Sequence, residues 1–269
     1  MSDFIYTRDG DLFYPTTWAG SPWSATSQHG GPPNALFMRA AEQAAADAGM
    51  RVARLTVDLL KPVPMQPLRL AWAYARRGRR MAIIDATLER ADDGSSVAVA
   101  RAVALKEHGT HETLFPAPGA RPSGPDALER HDLVSQARRE TGPPGFHLAV
   151  DVRYGGGNDD GVVWFTTPLD LVAGETITPA QSCATICDLT TVTSGRLKSA
   201  PPGVWDNTGM FPMLNVDTTV HLFRPPAGRW FGFAESFIAD HHGVGVAEVM
   251  LVDERGPLGR SVQTVASNA

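Results

Sequence analysis

Two places in the sequence combine residue types that could do chemistry. At residues 28–36 the chain reads QHGGPPNAL, with His29, Gly30 and Gly31 set directly before two prolines and an Ala-rich run. At residues 182–189 it reads SCATICDL, where Asp188 shares a helical face with Ala180 and Ala184 and lies beside Cys183 and Cys187. A carboxylate that interrupts an apolar face is a candidate general base, since burial strengthens its hold on a proton. The alternative is a helix residue that hydrogen-bonds a nearby turn. In HGGPPN the glycines let the backbone approach a ligand closely, and Pro32 and Pro33 start a helix where missing amide hydrogens cost least. The first turn then offers free N–H groups and the positive end of the helix dipole to a ligand oxygen. The same junction also reads as a plain change of direction, and His29 as either a ligand contact or a loop hydrogen bonder.

Other polar groups have blander readings. Cys183 and Cys187 stand one helical turn apart, which suits neither a disulfide framework nor a four-ligand zinc site, so they read as small buried residues. His241 and His242 fall in an expected hairpin and read as exposed. Arg76, Arg77, Arg79 and Arg80 also fall at a hairpin, where they form either an anion contact or an ordinary solvated turn. Trp72, Trp164, Trp230 and Phe231 lie on expected strands and read mainly as core, though some could line a pocket.

The elements that must position these residues follow from periodicity and breakers. A short strand-like opening leads to a helix over 33–48 that Gly49 stops. Then come four strands, within RLTVDLLKP, PLRLAWAYARR, RMAIIDATLERADDG and SSVAVARAVALKE, with Pro or Gly at the junctions, which predicts an antiparallel meander. Residues 108–143 are rich in Pro, Gly and charge and read as a linker holding at most a short helix over 127–140. The order then returns, with strands at FHLAVDVRYGG and VVWFTTPLD, a helix over 179–193 and further strands to the end. KPVP at Lys61 echoes RPPA at Arg224, and ADDGSSVAVARAV echoes DERGPLGRSVQTV at nearly the same distance, so the chain repeats itself. In that alignment Arg101 and Gln263 are equivalent. One helix per half can bury its apolar stripe only if the sheet curls around it, and fusing two such units covers open sheet edges.

Composition narrows the partners. The chain has 269 residues, 43% hydrophobic and 20% charged, with a formal net charge of -5, and no block of Lys and Arg beyond the short run at Arg76–Arg80. That argues against general nucleic-acid affinity and leaves a small-molecule partner as the expectation. No apolar run approaches the ~20 residues that span a bilayer, and MSDFIYTRDG has no signal-peptide pattern, so the expected location is cytoplasmic, with no membrane partner.

The motifs QHGGPPNAL, RLTVDLLKPVP at Arg54, RRGRRMA at Arg76, NVDTTVHLFRPP at Asn215 and LGRSVQ at Leu258 spread over nearly the whole chain. With them the sequence resembles acyl-CoA thioesterases of the thioesterase II type, and more closely the actinobacterial branch of thioesterase-like proteins. The resemblance implies an α+β double hotdog: two tandem repeats, each with one central helix wrapped by a curved antiparallel sheet, at 1–107 and 144–269 with the linker 108–143 between them. It also implies a water-activating set. By position the family's Asp falls on Asp188, its Ser or Thr on Asn215, and its Gln on Gln263. Asn215 is a departure, although an amide can also hold a water. Turn chemistry ahead of a strand is the other reading of Asn215, and a solvent-facing strand residue that of Gln263.

Strand alternation raises a difficulty. Asn215, Asp217, Thr219 and His221 share one face and Val216, Val220 and Leu222 the other, so Asn215 meets Asp188 only from a strand end or bulge, or else the site sits between the halves. The implied activity is metal-free, cofactor-free hydrolysis of a fatty or related acyl-CoA, with His29, Gly30 and Gly31 binding the substrate's thioester oxygen or a coenzyme A phosphate. A non-catalytic acyl-CoA or lipid binding protein is the alternative. A hotdog hydratase is disfavoured because no Asp is followed closely by His in a helix-entry loop. A homodimer or larger homo-oligomer is expected from the fold's habit of pairing.

Overall fold

The computed structural model describes residues 3–109, 122, 124–134, 136–155, 161–191 and 213–267. The first half contains β1 (Phe4–Asp9), β2 (Leu12–Pro15), α1 (Gly31–Asp47), β3 (Arg51–Leu59), β4 (Leu68–Arg77), β5 (Met81–Arg90) and β6 (Ser96–Leu105). After it come β7 (Arg130–His131), α2 (Gln136–Thr141), β8 (Asp151–Arg153), β9 (Val163–Thr166), β10 (Asp170–Val172) and α3 (Pro179–Cys187). The chain ends in β11 (Met213–Asn215), β12 (Asp217–Leu222), β13 (Phe231–His241), β14 (Val244–Asp253) and β15 (Gly256–Ser267). The second helix, expected over 179–193, is interrupted: α3 stops at Cys187, Asp188 and Leu189 form a turn, Thr190 and Thr191 are helical again, and residues 192–193 lie outside the described residues. Part of the expected linker is structured: β7 pairs with β8 and so joins the sheet of the second half.

All of these strands join one open sheet in the order β10-β1-β2-β4-β5-β6-β3-β12-β15-β14-β13-β9-β8-β7, with β11 beside β15. The pairings are antiparallel except β1 with β10. The four-strand meander is therefore corrected: β4, β5 and β6 run as neighbours, but β3 crosses over to pair with β6 on one side and β12 on the other. Residues 60–67, rich in Pro, make that crossover instead of a hairpin.

The β3–β12 ladder joins the halves, and Thr56 faces Thr219 across it. Thr56 is opposite Arg101 on β6, whereas Thr219 is opposite Val262 on β15. Arg101 thus corresponds to Val262, and Gln263 to Ala102. A one-residue slip reverses the face of a strand residue, which is why Arg101 pairs with Asp85 at the surface while Gln263 is fully buried.

Helix α1 packs against β3, β4, β5 and β6 and against α3. Its residues 31–41 are buried on every side, which its alanines permit by letting both layers come close. Gly49, with φ of 64°, turns the chain out of the helix as its position after the Ala-rich run predicts. Among the described residues no helix is long and apolar enough to cross a membrane.

Candidate active site

Helix α3 begins with a capping box, in which Thr178 accepts from the Gln181 amide and Gln181 reaches back to Thr178 N–H, with Pro179 in the first turn. It ends one residue before Asp188. The acid is therefore the C-cap of α3, with φ of -61° and ψ of -22°, rather than an interior helix residue. It is only 7% exposed. The helices run antiparallel, since Gly30 at the head of α1 lies against Asp188 while Glu42 in α1 accepts from Thr178 Oγ1 and Gln181 Nε2 at the head of α3.

Both carboxylate oxygens of Asp188 are held. Asn215 Nδ2 donates to Oδ1 at 2.9 Å, and His29 Nδ1 lies 2.8 Å from Oδ2. Asn215 achieves this as the last residue of β11, where the strand breaks at Val216 before β12 begins. Val216 bridges the gap by donating to Thr264 and accepting from Leu59 N–H, each at 3.0 Å. The parity problem is thus resolved by a strand end, and the site also lies between the halves. Sequence reading missed the His29–Asp188 pair, because its members come from different halves and no local spacing signals it.

His29 is fixed from several directions. Its N–H donates to Ala19 O at 2.9 Å, and its ring rests 5.1 Å from that of Phe146. Gln28 ties the same loop down, accepting from the buried Tyr6 hydroxyl and donating to Pro64 O at 2.7 Å.

The two glycines permit a close approach within the protein itself. A Cβ on Gly30 would lie 2.4 Å from Asp188 Oδ1, and one on Gly31 2.5 Å from Thr185 O. They bring the head of α1 against the tail of α3; Gly30 also lines the adjoining cavity, and Gly31 does not.

Gln263 lies behind Asp188, fully buried and not facing solvent. Its Oε1 accepts from Thr191 N–H and Oγ1 at 2.9 and 2.6 Å, and its Nε2 donates to Thr218 Oγ1 at 2.9 Å and to the carbonyls of Cys187 and Asp188 at 3.2 Å. It reaches the main chain of Asp188, not its carboxylate, and it is absent from the cavity wall. It therefore splints the end of α3. Replacing Gln263 by Leu strands several buried partners, and the expected loss of folding stability is about 3 kcal/mol, since each unsatisfied group costs about 1–3 kcal/mol. The shift of the urea unfolding midpoint measures it.

Asp188, Asn215, His29 and Gly30 line a cavity of about 530 Å³, together with Trp23, Leu60, Lys61, Val63, Leu214 and Val216. Trp72, Trp164, Trp230 and Phe231 do not line it. Four of its apolar residues remain partly exposed at 42–52%: Trp23, Leu60, Leu214 and Val216. Trp23 gives no signal in the sequence beyond its place in a Pro-rich loop, and Lys61 stands out only as the start of the KPVP echo. The Arg76–Arg80 hairpin is remote, because Arg77 donates to Asp47 O at the opposite end of α1, about 25 Å away by helix rise.

The pseudo-symmetric counterpart of the cavity is smaller, about 280 Å³, and is lined by Glu42, Val52, Leu222, Pro225 and Pro226. Burial pushes the Glu42 carboxyl above its ordinary range, against the hydrogen bonds from Thr178 and Gln181. Val52 stands there in place of Asn215, so the amide partner is missing. Cys183 and Cys187 are buried free thiols with sulfurs 4.0 Å apart. Among the described residues no cluster of three or more His, Cys, Asp or Glu could hold a metal ion.

Family models match both halves: an acyl-CoA thioesterase N-terminal domain over residues 19–105 and an acyl-CoA thioesterase C-terminal domain over residues 110–267. No curated protein matches the sequence. Among solved structures, a thioesterase candidate from Novosphingobium aromaticivorans is 19% identical with a TM-score of 0.71, covering 98% of this chain and 99% of its own. A hot dog fold protein from Alicyclobacillus acidocaldarius is 20% identical with a TM-score of 0.64, over 98% and 96% of the two chains. An acyl-CoA thioesterase II from Mycobacterium marinum is 14% identical with a TM-score of 0.62, over 97% and 92%. Identities this low speak for the fold alone.

Proposed function

The chain belongs to the acyl-CoA thioesterase family, and from that premise we propose that it hydrolyses a fatty or related acyl-CoA to free acid and coenzyme A. In this reading the molecule is a double hotdog, with units at 1–107 and 144–269 and the connection at 108–143. The observation that carries the reading is a buried carboxylate, hydrogen-bonded by Asn215 and paired with His29, on the wall of a largely apolar cavity where the halves meet.

Thioester hydrolysis needs an activated water, a polarised carbonyl and shelter from bulk solvent. Asp188 and its partners supply proton-accepting capacity at one spot. Asn215, in the position of the family's hydroxyl residue, holds the carboxylate and offers its carbonyl oxygen to the water. Gln263 acts from behind, as a positioning residue. Gly30 opens helix α1 at the cavity, where the positive end of the dipole suits the developing negative charge on the thioester oxygen. The volume falls within the usual range of about 300–1,000 Å³ for ligand pockets. Trp23, Leu60, Leu214 and Val216 offer apolar surface to an acyl chain, and Lys61 offers a cation to a coenzyme A phosphate.

Thiol release measured across acyl-CoAs of increasing chain length tests the proposal. Turnover that depends on chain length is the expected result. Saturable acyl-CoA binding without thiol release at any chain length favours the binding-protein alternative instead, and neither binding nor turnover rejects both.

A further inference from the structure

We propose that His29 is the residue that takes the proton from the attacking water, with Asp188 acting through it. This rests on the acyl-CoA hydrolase reading and deepens it.

The tautomer of His29 decides which group is the base. Its Nδ1 has two neighbours, Asp188 Oδ2 at 2.8 Å and the Gly31 amide nitrogen at 3.3 Å. A neutral imidazole carries its proton on one nitrogen only. If Nδ1 accepted from Gly31 N–H, its lone pair would abut a carboxylate oxygen, and the short contact would be repulsive. If Nδ1 carries the proton, it donates to Asp188 in a short charge-assisted bond, roughly twice as strong as a neutral one, and gives up only the long contact to Gly31. The second arrangement wins. It leaves Nε2 bare, and among the described residues Nε2 has no hydrogen-bond partner, while His29 lines the cavity.

The environment favours the same division of labour. Both oxygens of Asp188 are occupied, one by His29 and one by Asn215, so a water reaching the carboxylate would have to displace a partner or share an oxygen. Among the described residues Nε2 has no such partner to displace, and His29 lines the cavity from which a water would come. Phe146 flanks the ring, and Ala19 O holds the main chain that carries it. A nucleophile, a base that accepts its proton and a third group that orients the base form a recurring arrangement. Here water is the nucleophile.

Water oxygen bonds to the thioester carbon while one water proton passes to Nε2 and the carbonyl electron pair moves to oxygen. The tetrahedral adduct then re-forms its carbonyl, the carbon–sulfur bond breaks, and the proton on Nε2 passes to the departing thiolate. His29 and Asp188 end as they began.

Three readouts test this. His29→Gln should lower kcat by about 10²–10⁴-fold, the usual contribution of a positioned general base, with affinity for a non-hydrolysable thioether analogue of acyl-CoA unchanged within about threefold. Added imidazole should restore part of the rate to His29→Ala and none to Asp188→Asn, which still has its imidazole. On the unaltered protein, nitrogen NMR should find the neutral His29 ring protonated at Nδ1. Parent-like kcat in His29→Gln, or a ring protonated at Nε2, overturns the proposal while leaving the hydrolase reading intact. If the His29 variants do not fold, the NMR result decides alone. A parent protein that releases no thiol from any acyl-CoA removes both readings, and turnover by the parent separates the two failures.

Discussion

Asp188→Asn is expected to reduce kcat for acyl-CoA hydrolysis by about 10²–10⁴-fold, the range for removal of a general base or the group that orients it. Affinity for the substrate should stay within about threefold. The side chain keeps its shape, so the cavity is unchanged. What changes is its hydrogen-bonding. In the parent, both carboxylate oxygens face donors, Asn215 Nδ2 on one side and His29 Nδ1 on the other. An amide has one oxygen and one NH₂ group. The substituted NH₂ must face one of those donors: Asn215 can accommodate it by turning its own amide oxygen inward, whereas His29 Nδ1–H cannot accept. If it faces His29, the imidazole changes tautomer and its outer nitrogen becomes protonated. Stopped-flow thiol release beside calorimetric binding separates this outcome from a general loss of fold.

Gly30→Ala is expected to cost about 100-fold in kcat, because a misplacement on the order of 1 Å at a catalytic group is worth about that much. Gly30 has φ of -68°, a conformation open to any residue, so the glycine is required for space and not for backbone freedom. The added methyl would lie 2.4 Å from Asp188 Oδ1 and 2.8 Å from Cγ. The carboxylate must retreat, and with it the contacts to Asn215 and His29. The double variant Gly30→Ala with Asp188→Asn should be little slower than Asp188→Asn alone, since both changes act on one group. Multiplicative losses would show that Gly30 acts independently of Asp188.

Much of the fold is legible in the sequence because its signals are local. The Pro pair and Gly49 bracket α1 within two residues of its observed ends, and the alternation in IIDATLE and VAVARAVAL marks β5 and β6. The partner of β3 is not legible. Adjacent strands in sequence suggest a meander, but residues 60–67 carry the chain across to a different neighbour, and nothing in their composition says how far. The alignment of Arg101 with Gln263 fails by one residue for a related reason: the echoing motifs fix spacing only approximately, and a single step turns a surface position into a core one.

The site divides in the same way. The encounter of Asp188 with Asn215 is expected from the sequence together with its obstacle, and the strand break at Val216 removes that obstacle. At the glycines the sequence shows that close approach is possible without showing that the end of α3 is what approaches. Gln263 does fall near Asp188 as expected, but its burial and its grip on the end of α3 depend on strand register. The pairing of His29 with Asp188 needs three-dimensional assembly, since a search for an Asp and a His together in one loop cannot find partners contributed by two halves.

The most direct measurement is a crystal structure of the Asp188→Asn variant with an acyl-CoA bound. It should place the thioester carbon within reach of a water held at residue 188, Asn215 and His29, with the acyl chain along Trp23, Leu60 and Leu214. A thioester seated elsewhere, for example in the smaller cleft at Glu42, would contradict the account.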